Sequence, residues 1–329
     1  IYSERQLEEV LVDFWFNHFN VFAGKGATRN YVGEYEREAI RPHVLGTFRE
    51  MLGATARHPA MLFYLDNWLS SSAEVRGAGV RRRSNGINEN YARELLELHT
   101  LGVDGGYTQQ DIVSVARAFS GWTMQPRQGS GFVFAANRHD RGEKIVLGHT
   151  IKAGGGESDG ERVLDIVAAH PSTAKHIATK LAIRFVSDTP SAALIDRVAS
   201  RFAASKGDLR EVMKTLLSSP EFLAADARKA KVKTPLEFVA SAIRATGAEV
   251  RNAVPLARTL RDMGMPLYLC QPPTGYEETA ATWVSAGALV NRMNFAVDLS
   301  KNNVRGVRVP LTEEQTRALQ IGAPEFQRQ

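Results

Sequence analysis

The stretch NENYARELLELHTLG, residues 88–102, carries side chains that could do chemistry. Glu94 and Glu97 stand about one helical turn apart, so their carboxylates can share a proton, a cation or an arginine. At 100° per residue, Asn90 and Arg93 fall on the same helical face as the two glutamates. We therefore expect this face to be either the wall of a functional cleft or a solvated surface with Arg93 as a local ion-pair partner.

Two histidines fit the apolar core better than a metal site. His99 falls on the leucine-rich side of the same helix. The two glutamates and His99 therefore cannot bind one metal ion as an E-x-x-E-x-H motif unless the helix breaks after Leu98. His18 lies one turn after Phe14 in the aromatic run FWFNHFN. The pattern favours a packed core histidine at both positions, although His18 also remains a candidate for binding substrate.

The segment GFVFAANRHDRGEKIVLG, residues 131–148, is the one clear non-helical island. Two short apolar runs flank His139, Asp140, Arg141 and Gly142, which predicts a β-hairpin with a four-residue connection. An Asp followed by Arg-Gly suits a type I turn without any further role. The alternative is a turn that carries an imidazole and a carboxylate over the mouth of a helical cleft.

Elsewhere helical periodicity dominates, and helix starts carry matching caps such as Thr108 with Asp111 and Thr234 with Glu237. These patterns predict a mainly α fold: one large helical domain over 1–329 with the hairpin inserted at 131–148. The Ser-, Arg- and Gly-rich stretch 70–87 is predicted to be a flexible loop.

Composition describes a globular protein with a sizeable core: 43% of the 329 residues are hydrophobic and 23% are charged. No apolar run is long enough to span a membrane, and the opening IYSERQLEEVL has no signal-peptide pattern, so we expect no targeting segment in this chain. The net charge of +5 raises the possibility of an anionic partner. The basic cluster RGAGVRRR (76–83) lacks interleaved aromatics, which argues against nucleic acid.

The sequence lacks the motifs of nucleotide-binding, serine-hydrolase and zinc-protease sites. The chain has no phosphate-binding P-loop, no G-x-S-x-G elbow, no H-E-x-x-H and no C-x-x-C pair. Cys270 is the only cysteine, and no neighbouring pattern would activate it. The sequence specifies neither a cofactor nor a metal.

Taken in order, several blocks resemble the bacterial family called domain of unknown function 1800, and together they cover nearly the whole chain. They include FWFNHFNVF (14–22), NENYARELLELHTLGVDGGYTQQDI (88–112), FVFAANRHDRGEKIVLG (132–148), HPSTAKHIATKLAIRFV (170–186) and PPTGYEETAATWVSAGALVNRMNFA (272–296). The family has no assigned activity. Because its members usually look exported, the resemblance implies a periplasmic or secreted location. Its polar positions that match here are His18, Asp66, Asn67, Asn88, Asn90, Arg93, Glu94, Glu97, Tyr107, His139, Asp140 and Lys144.

The leading hypothesis is a carboxylate-dependent hydrolase acting on a glycan-like polymer of the cell envelope. One carboxyl with a raised pKa would protonate the leaving oxygen while a second activates water or attacks. The catalytic candidates are Glu94, Glu97, Asp140 and His139. The candidates for substrate binding are Asn88, Asn90, Arg93, Tyr107, Lys144 and His18.

Two other hypotheses stay open. Glu94, Glu97, His139 and Asp140 could instead ligate a divalent or iron ion. Alternatively, the chain is a non-catalytic scaffold or binding module for a polysaccharide or other anionic partner, with the Asn-Arg-Glu face as a buried hydrogen-bonded network. If these polar positions serve one common site, Glu94 and Glu97 should lie within roughly 10 Å of His139 or Asp140 around an open cleft.

Overall fold

A computed structural model describes residues 1–72, 86–125, 131–310 and 320–329. The mainly α fold predicted from periodicity is confirmed. The α-helices are α1 (Gln6–His18), α2 (Val32–Glu34), α3 (Phe48–Arg57), α4 (Pro59–Tyr64), α5 (Asn90–Glu94), α6 (Gln109–Ala118), α7 (Ser158–Ala168), α8 (Pro171–Phe185), α9 (Ala192–Ala204), α10 (Leu209–Leu217), α11 (Pro220–Leu223), α12 (Pro235–Thr246), α13 (Val254–Asp262), α14 (Ala280–Trp283) and α15 (Ala286–Ser300). Short 3-10 helices cover Gly26–Asn30, Arg41–His43, Asn67–Leu69 and Ala136–Arg138.

Local capping chemistry fixes several helix starts. Thr108 and Thr234 each form the predicted capping box with the acidic residue three positions later, Asp111 and Glu237. His58 and His170 precede the first-turn prolines of α4 and α8, and each accepts a hydrogen bond from a backbone N–H of its helix. These ends were readable from the sequence because the bonds involved are local.

Within the described residues two segments are π-helical, Tyr35–Ile40 and Leu95–Thr100. The second continues α5 directly, so the helix that carries Glu94 widens immediately after that residue. In the wider turn the Leu101 N–H donates to the carbonyl of Leu96, five residues back, at 2.9 Å. A constant 100° period therefore holds only up to Glu94, and π segments of this kind are frequent at functional sites.

The described strands form three two-stranded antiparallel ladders. They are β1 (Trp122–Met124) with β2 (Phe132–Phe134), β3 (Lys144–Val146) with β4 (His149–Ile151), and β5 (Glu249–Val250) with β6 (Val307–Arg308).

The hairpin predicted over 131–148 is wrong in its pairing. Its two apolar runs are strands, but they do not pair with each other. β2 pairs with β1, which precedes it in the chain, and β3 pairs with β4, which follows it. Leu147 and Gly148 both have positive φ, 50° and 77°, so a two-residue turn of the type favoured in hairpins closes β3 onto β4. His139 and Asp140 consequently lie between two ladders rather than at a hairpin tip.

The described core consists of one large hydrophobic cluster and two smaller ones. The large cluster draws on residues between Leu11 and Leu216, and the second on residues between Phe238 and Ile321. A third, small cluster holds Val232, Met265 and Trp283. Of the loop predicted over 70–87, residues 73–85 lie outside the described residues.

Gly160 of α7 is needed for close packing against Trp122, whose side chain is fully buried. A Cβ at Gly160 would lie 2.5 Å from a ring carbon of Trp122. We expect Gly160→Ala to lower the free energy of unfolding by about 1–3 kcal/mol, because the core must shift to admit the methyl group. Gly287→Ala in α15 is the matched control, since a Cβ there meets no atom within 4 Å. Urea unfolding of the two variants checks this, and equal stabilities would contradict it.

Candidate functional site

Asn88 shapes the start of the helix that carries the candidate carboxylates. Its side-chain oxygen accepts from the Asn90 N–H at 2.9 Å, which supplies a local cap. Its own N–H donates to the Ser70 hydroxyl at 3.1 Å, and its side-chain amide donates to the Asp66 carbonyl at 3.3 Å. Asn88 is thus committed to positioning the backbone, whereas the next asparagine, Asn90, is exposed.

Asn90 and Glu94 line a cleft of about 420 Å³, called here the Glu94 cleft. Its other walls come from distant segments, and the full lining is Phe22, Lys25, Tyr64, Leu65, Asn90, Glu94, Gln271 and Pro273. The cleft thus combines aromatic rings, two side-chain amides, one carboxyl and one amine.

Hydrogen bonds between the walls hold the Glu94 cleft in shape. The Lys25 Nζ donates to the Tyr64 carbonyl at 2.6 Å and to the Asp66 carboxylate at 2.7 Å. The Tyr64 hydroxyl donates to the Gln271 carbonyl at 2.7 Å. These bonds tie the 270s segment to the first helices, so the cleft is built before any ligand arrives.

Glu94 is electrostatically distinct from an ordinary surface glutamate. It is half-buried, and loss of solvent is the main cause that raises its pKa. The charge of Glu97 raises that pKa further, while Arg93 opposes the shift. Glu97 itself accepts a hydrogen bond from the Tyr107 hydroxyl at 3.3 Å. The pair therefore has the unequal environments that favour a proton on Glu94.

Arg93 pairs with a different carboxylate from the one expected. Its guanidinium contacts Glu89 at 3.3 Å and the Gln109 side-chain oxygen at 3.1 Å. The Gln109 amide also donates to Glu89 at 2.8 Å, so these three residues form their own surface group. The expected ion pair between Arg93 and the glutamates Glu94 and Glu97 is therefore wrong. Glu89 draws the guanidinium to a neighbouring position.

His139 and Lys144 belong to a buried network around Asp159. The His139 Nε2 lies 3.1 Å from the Asp159 Oδ2, and the Lys144 Nζ donates to the same oxygen at 2.7 Å. The side chains of His139, Lys144 and Asp159 are 1%, 0% and 2% exposed. The His139 Nδ1 also lies 2.8 Å from the Ser120 carbonyl. In this state neither His139 nor Lys144 is open to a polymer.

Asp140 is engaged by an arginine instead of a substrate. Arg117 donates to both of its carboxylate oxygens, at 3.0 and 2.9 Å, and the Gly142 N–H donates to Oδ1 at 2.9 Å. Burial opposes ionisation here, but these hydrogen bonds outweigh it and hold the pKa of Asp140 below its usual value. The bond to Gly142 is the local turn chemistry that the Asp-Arg-Gly sequence suggests.

His18 lies in the core, 1% exposed, with its Nε2 3.1 Å from the His99 carbonyl. Burial lowers the pKa of both His18 and His99, so both rings are neutral near pH 7. The prediction that they are core histidines is confirmed. His18 does not line the Glu94 cleft, so the structure gives no support to its suggested role in binding substrate.

The model of the family described as "Protein of unknown function (DUF1800)" matches residues 1–327. The chain belongs to this family. Searches of curated proteins and of solved structures return no match. Among the described residues of this DUF1800 protein, no helix has the length and apolarity needed to cross a membrane.

The four-ligand metal site suggested for Glu94, Glu97, His139 and Asp140 is not assembled in this structure. Within the ranges that the structure describes, no three His, Cys, Asp or Glu side chains are placed to hold a metal ion together. The physical reason is that the side chains that would ligate the metal contact other residues instead. His139 faces Asp159, Asp140 faces Arg117, and Glu97 faces Tyr107.

Sequence reasoning missed Lys25, Tyr64, Gln271 and Pro273 as cleft walls, and Asp159 as the centre of the buried network. The run that contains Pro273 was singled out only through the resemblance. Lys25 and Asp159 stand in glycine-containing stretches that read as loops or helix starts, and no local pattern distinguishes them. Their surroundings arise from contacts between distant segments.

Proposed function

We propose that this DUF1800 protein is a periplasmic or secreted hydrolase of a glycan-like polymer, with Glu94 as its general acid. The observation that carries the proposal is a half-buried carboxyl of raised pKa in the wall of a preformed cleft. The proposed location rests on the resemblance to exported members of the family.

The lining of the Glu94 cleft suits a hydroxylated ligand. Asn90 and Gln271 offer amide donors and acceptors, and Phe22 and Tyr64 offer rings against which a sugar can stack. Lys25 adds one cationic donor that Asp66 partly neutralises. A neutral or weakly anionic polymer fits this combination.

In the proposed reaction Glu94 protonates the leaving oxygen as the glycosidic bond breaks. A water molecule adds to the sugar carbon in its place, and the proton that the water loses returns to Glu94. Glu97 does not line the Glu94 cleft and assists from behind it: its charge raises the pKa of Glu94 and so favours the proton there. The Tyr107 hydroxyl holds Glu97 in place. Asp140, another of the catalytic candidates, is unsuited to act as a second carboxylate because Arg117 already binds both of its oxygens.

The test is release of reducing ends from a panel of envelope polysaccharides by the purified chain. We expect Glu94→Gln to lower kcat by about 10²–10⁴-fold, since the substrate loses its proton donor. Glu89→Gln is the matched control, because Glu89 lies on the same segment but pairs with Arg93, and it should change kcat by less than about 2-fold.

The pH profile separates catalysis from a structural effect. Activity should fall as the pH rises through the raised pKa of Glu94, because only the protonated acid can act. Glu97→Gln removes one cause of that raised pKa, so it should move this limb to lower pH. Full turnover by Glu94→Gln would refute the assignment. Salt-sensitive binding of anionic polymers without any turnover would instead favour the non-catalytic binding module.

A further inference from the structure

A second cavity, called here the Arg184 cavity, has a volume of about 280 Å³. Its walls come from α1, the π-helix Tyr35–Ile40, α8, α12 and the 265–276 segment. The 270s segment separates it from the Glu94 cleft, since Cys270 lines the Arg184 cavity while Gln271 and Pro273 line the cleft. Asn20 fixes this partition by donating to the carbonyls of Cys270 and Pro272, at 3.0 and 2.8 Å.

Carboxylates outnumber cations around the Arg184 cavity. Arg184, only 3% exposed, contacts three of them: Asp13 at 3.0 Å, Glu237 at 2.8 Å and Glu278 at 2.7 Å. On the opposite side Arg41 contacts two more, from Glu9 and Glu36. Among the side chains that line the cavity, four are carboxylates and two are cations, namely Glu9, Asp13, Glu36 and Glu237 against Arg41 and Arg184. The ion pairs alone therefore leave an excess of negative charge.

Two polar groups on the wall are left incompletely bonded. Asp13 accepts from Arg184 through Oδ2, and within the described part of the chain no hydrogen bond reaches its Oδ1. The Nε of Arg184 is buried and likewise has no hydrogen-bond partner among the described residues. Asp13 lines the cavity and its side chain is 22% exposed, so this carboxylate can meet a ligand that enters the cavity.

The remaining wall is apolar and aromatic. Phe16 and Tyr268 meet edge to face with ring centroids 5.0 Å apart, and Tyr276 lines the same cavity. Leu236 and Met265 complete the apolar part. Aromatic rings beside excess carboxylates are the surroundings that stabilise an organic cation, through cation–π attraction and through charge.

We propose that the Arg184 cavity binds a small organic ammonium ion, with the cationic nitrogen beside Asp13 and the carbon body against the three rings. The cation would offset the excess carboxylate charge in surroundings where water screens it poorly. The site would thus select for positive charge although the whole chain carries a net charge of +5.

Choline is the probe, and the experiment is calorimetric titration of the full chain in phosphate buffer. We expect saturable binding near pH 7.5, and at least about 10-fold weaker binding of dimethylbutanol, the neutral isostere in which carbon replaces the quaternary nitrogen. Asp13→Asn should weaken choline binding by about 10-fold. Ala240→Leu should abolish it, because Ala240 lines the cavity and the larger side chain occupies the volume without removing any charge.

The pH dependence gives a second measurement. Burial raises the pKa of Asp13 to about 6. The charged groups that face Asp13 are Arg184 on α8, Glu237 on α12 and Glu278 in the 270s segment. Asp13 therefore takes up a proton as the pH falls below about 6, and choline should bind about 10-fold more weakly near pH 5 than near pH 7.5.

Equal affinities for choline and its neutral isostere would overturn the proposal. So would unchanged choline binding by Ala240→Leu, provided that urea unfolding shows this variant to be folded. Absence of binding to the folded wild-type chain would also overturn it. None of these outcomes bears on the hydrolase proposal, because the Glu94 cleft has separate walls.

Discussion

Replacing Arg184 by methionine is expected to lower the free energy of unfolding by about 3–5 kcal/mol. The substitution keeps most of the side-chain volume but leaves Asp13, Glu237 and Glu278 without their common counter-ion. All three carboxylates are at most 22% exposed, so water cannot take over from the guanidinium. Chemical denaturation near pH 7 measures the difference.

Arg197→Met is the matched control for this prediction. Arg197 also holds a glutamate, Glu221, at 2.7 Å, but its side chain is 42% exposed. An exposed pair of this kind contributes about 0–1 kcal/mol, so the control should unfold almost as the wild type does. If both variants lost the same small amount, the cluster around Arg184 would be as weak as a surface pair.

The sign of the pH dependence provides an independent check. Without Arg184, the three carboxylates repel one another when ionised, and protonation relieves that repulsion. The stability deficit of Arg184→Met should therefore shrink as the pH falls from about 7 towards 4, where carboxyl groups take up protons. A deficit of the same size at every pH would indicate lost packing rather than lost charge.

Periodicity predicted the side-chain directions of the 88–101 helix up to the point where the helix changes type. Glu94, which lies before that point, lines a cleft, and His99, which lies beyond it, is still in the core. The π segment that begins at Leu95 contacts residues that are distant in the sequence. There the His18 and His176 rings lie 3.1 Å from the carbonyls of His99 and Leu98. A local pattern does not contain those partners.

Only the part of the candidate site that is formed by residues close in sequence could be predicted. Glu94 and Glu97 are close in sequence, so their mutual influence follows from helix geometry alone. The same cleft is also lined by Lys25, Tyr64 and Gln271, from segments up to about two hundred residues away. The sequence around each of these residues contains no pattern that predicts a place in the cleft. The same limit applies to His139, which the fold buries beside Asp159 of α7.

Lys144, a candidate for substrate binding in the sequence, is held by three hydrogen bonds inside the fold. The Lys144 Nζ donates to the carbonyls of Asp140 and Gly142, at 2.6 and 2.9 Å, and to the Asp159 carboxylate at 2.7 Å. Three acceptors match the three N–H groups of an ammonium ion. Lys144 therefore fixes the chain between β2 and β3 onto α7 and supplies the positive charge that Asp159 needs.

We expect Lys144→Met to lower the free energy of unfolding by about 3–5 kcal/mol, because it leaves the Asp159 carboxylate buried without its lysine. Adding Asp159→Asn to that variant should recover part of the loss, since the uncompensated charge is then removed. Lys214→Met is the control: Lys214 pairs with Glu211 at the same 2.7 Å, but its side chain is 66% exposed, so the change should be below about 1 kcal/mol. Urea unfolding of these variants tests whether Lys144 acts through Asp159. If the double variant were less stable than Lys144→Met by the full effect of Asp159→Asn alone, the two residues would be independent and the buried pair would not be what holds this region together.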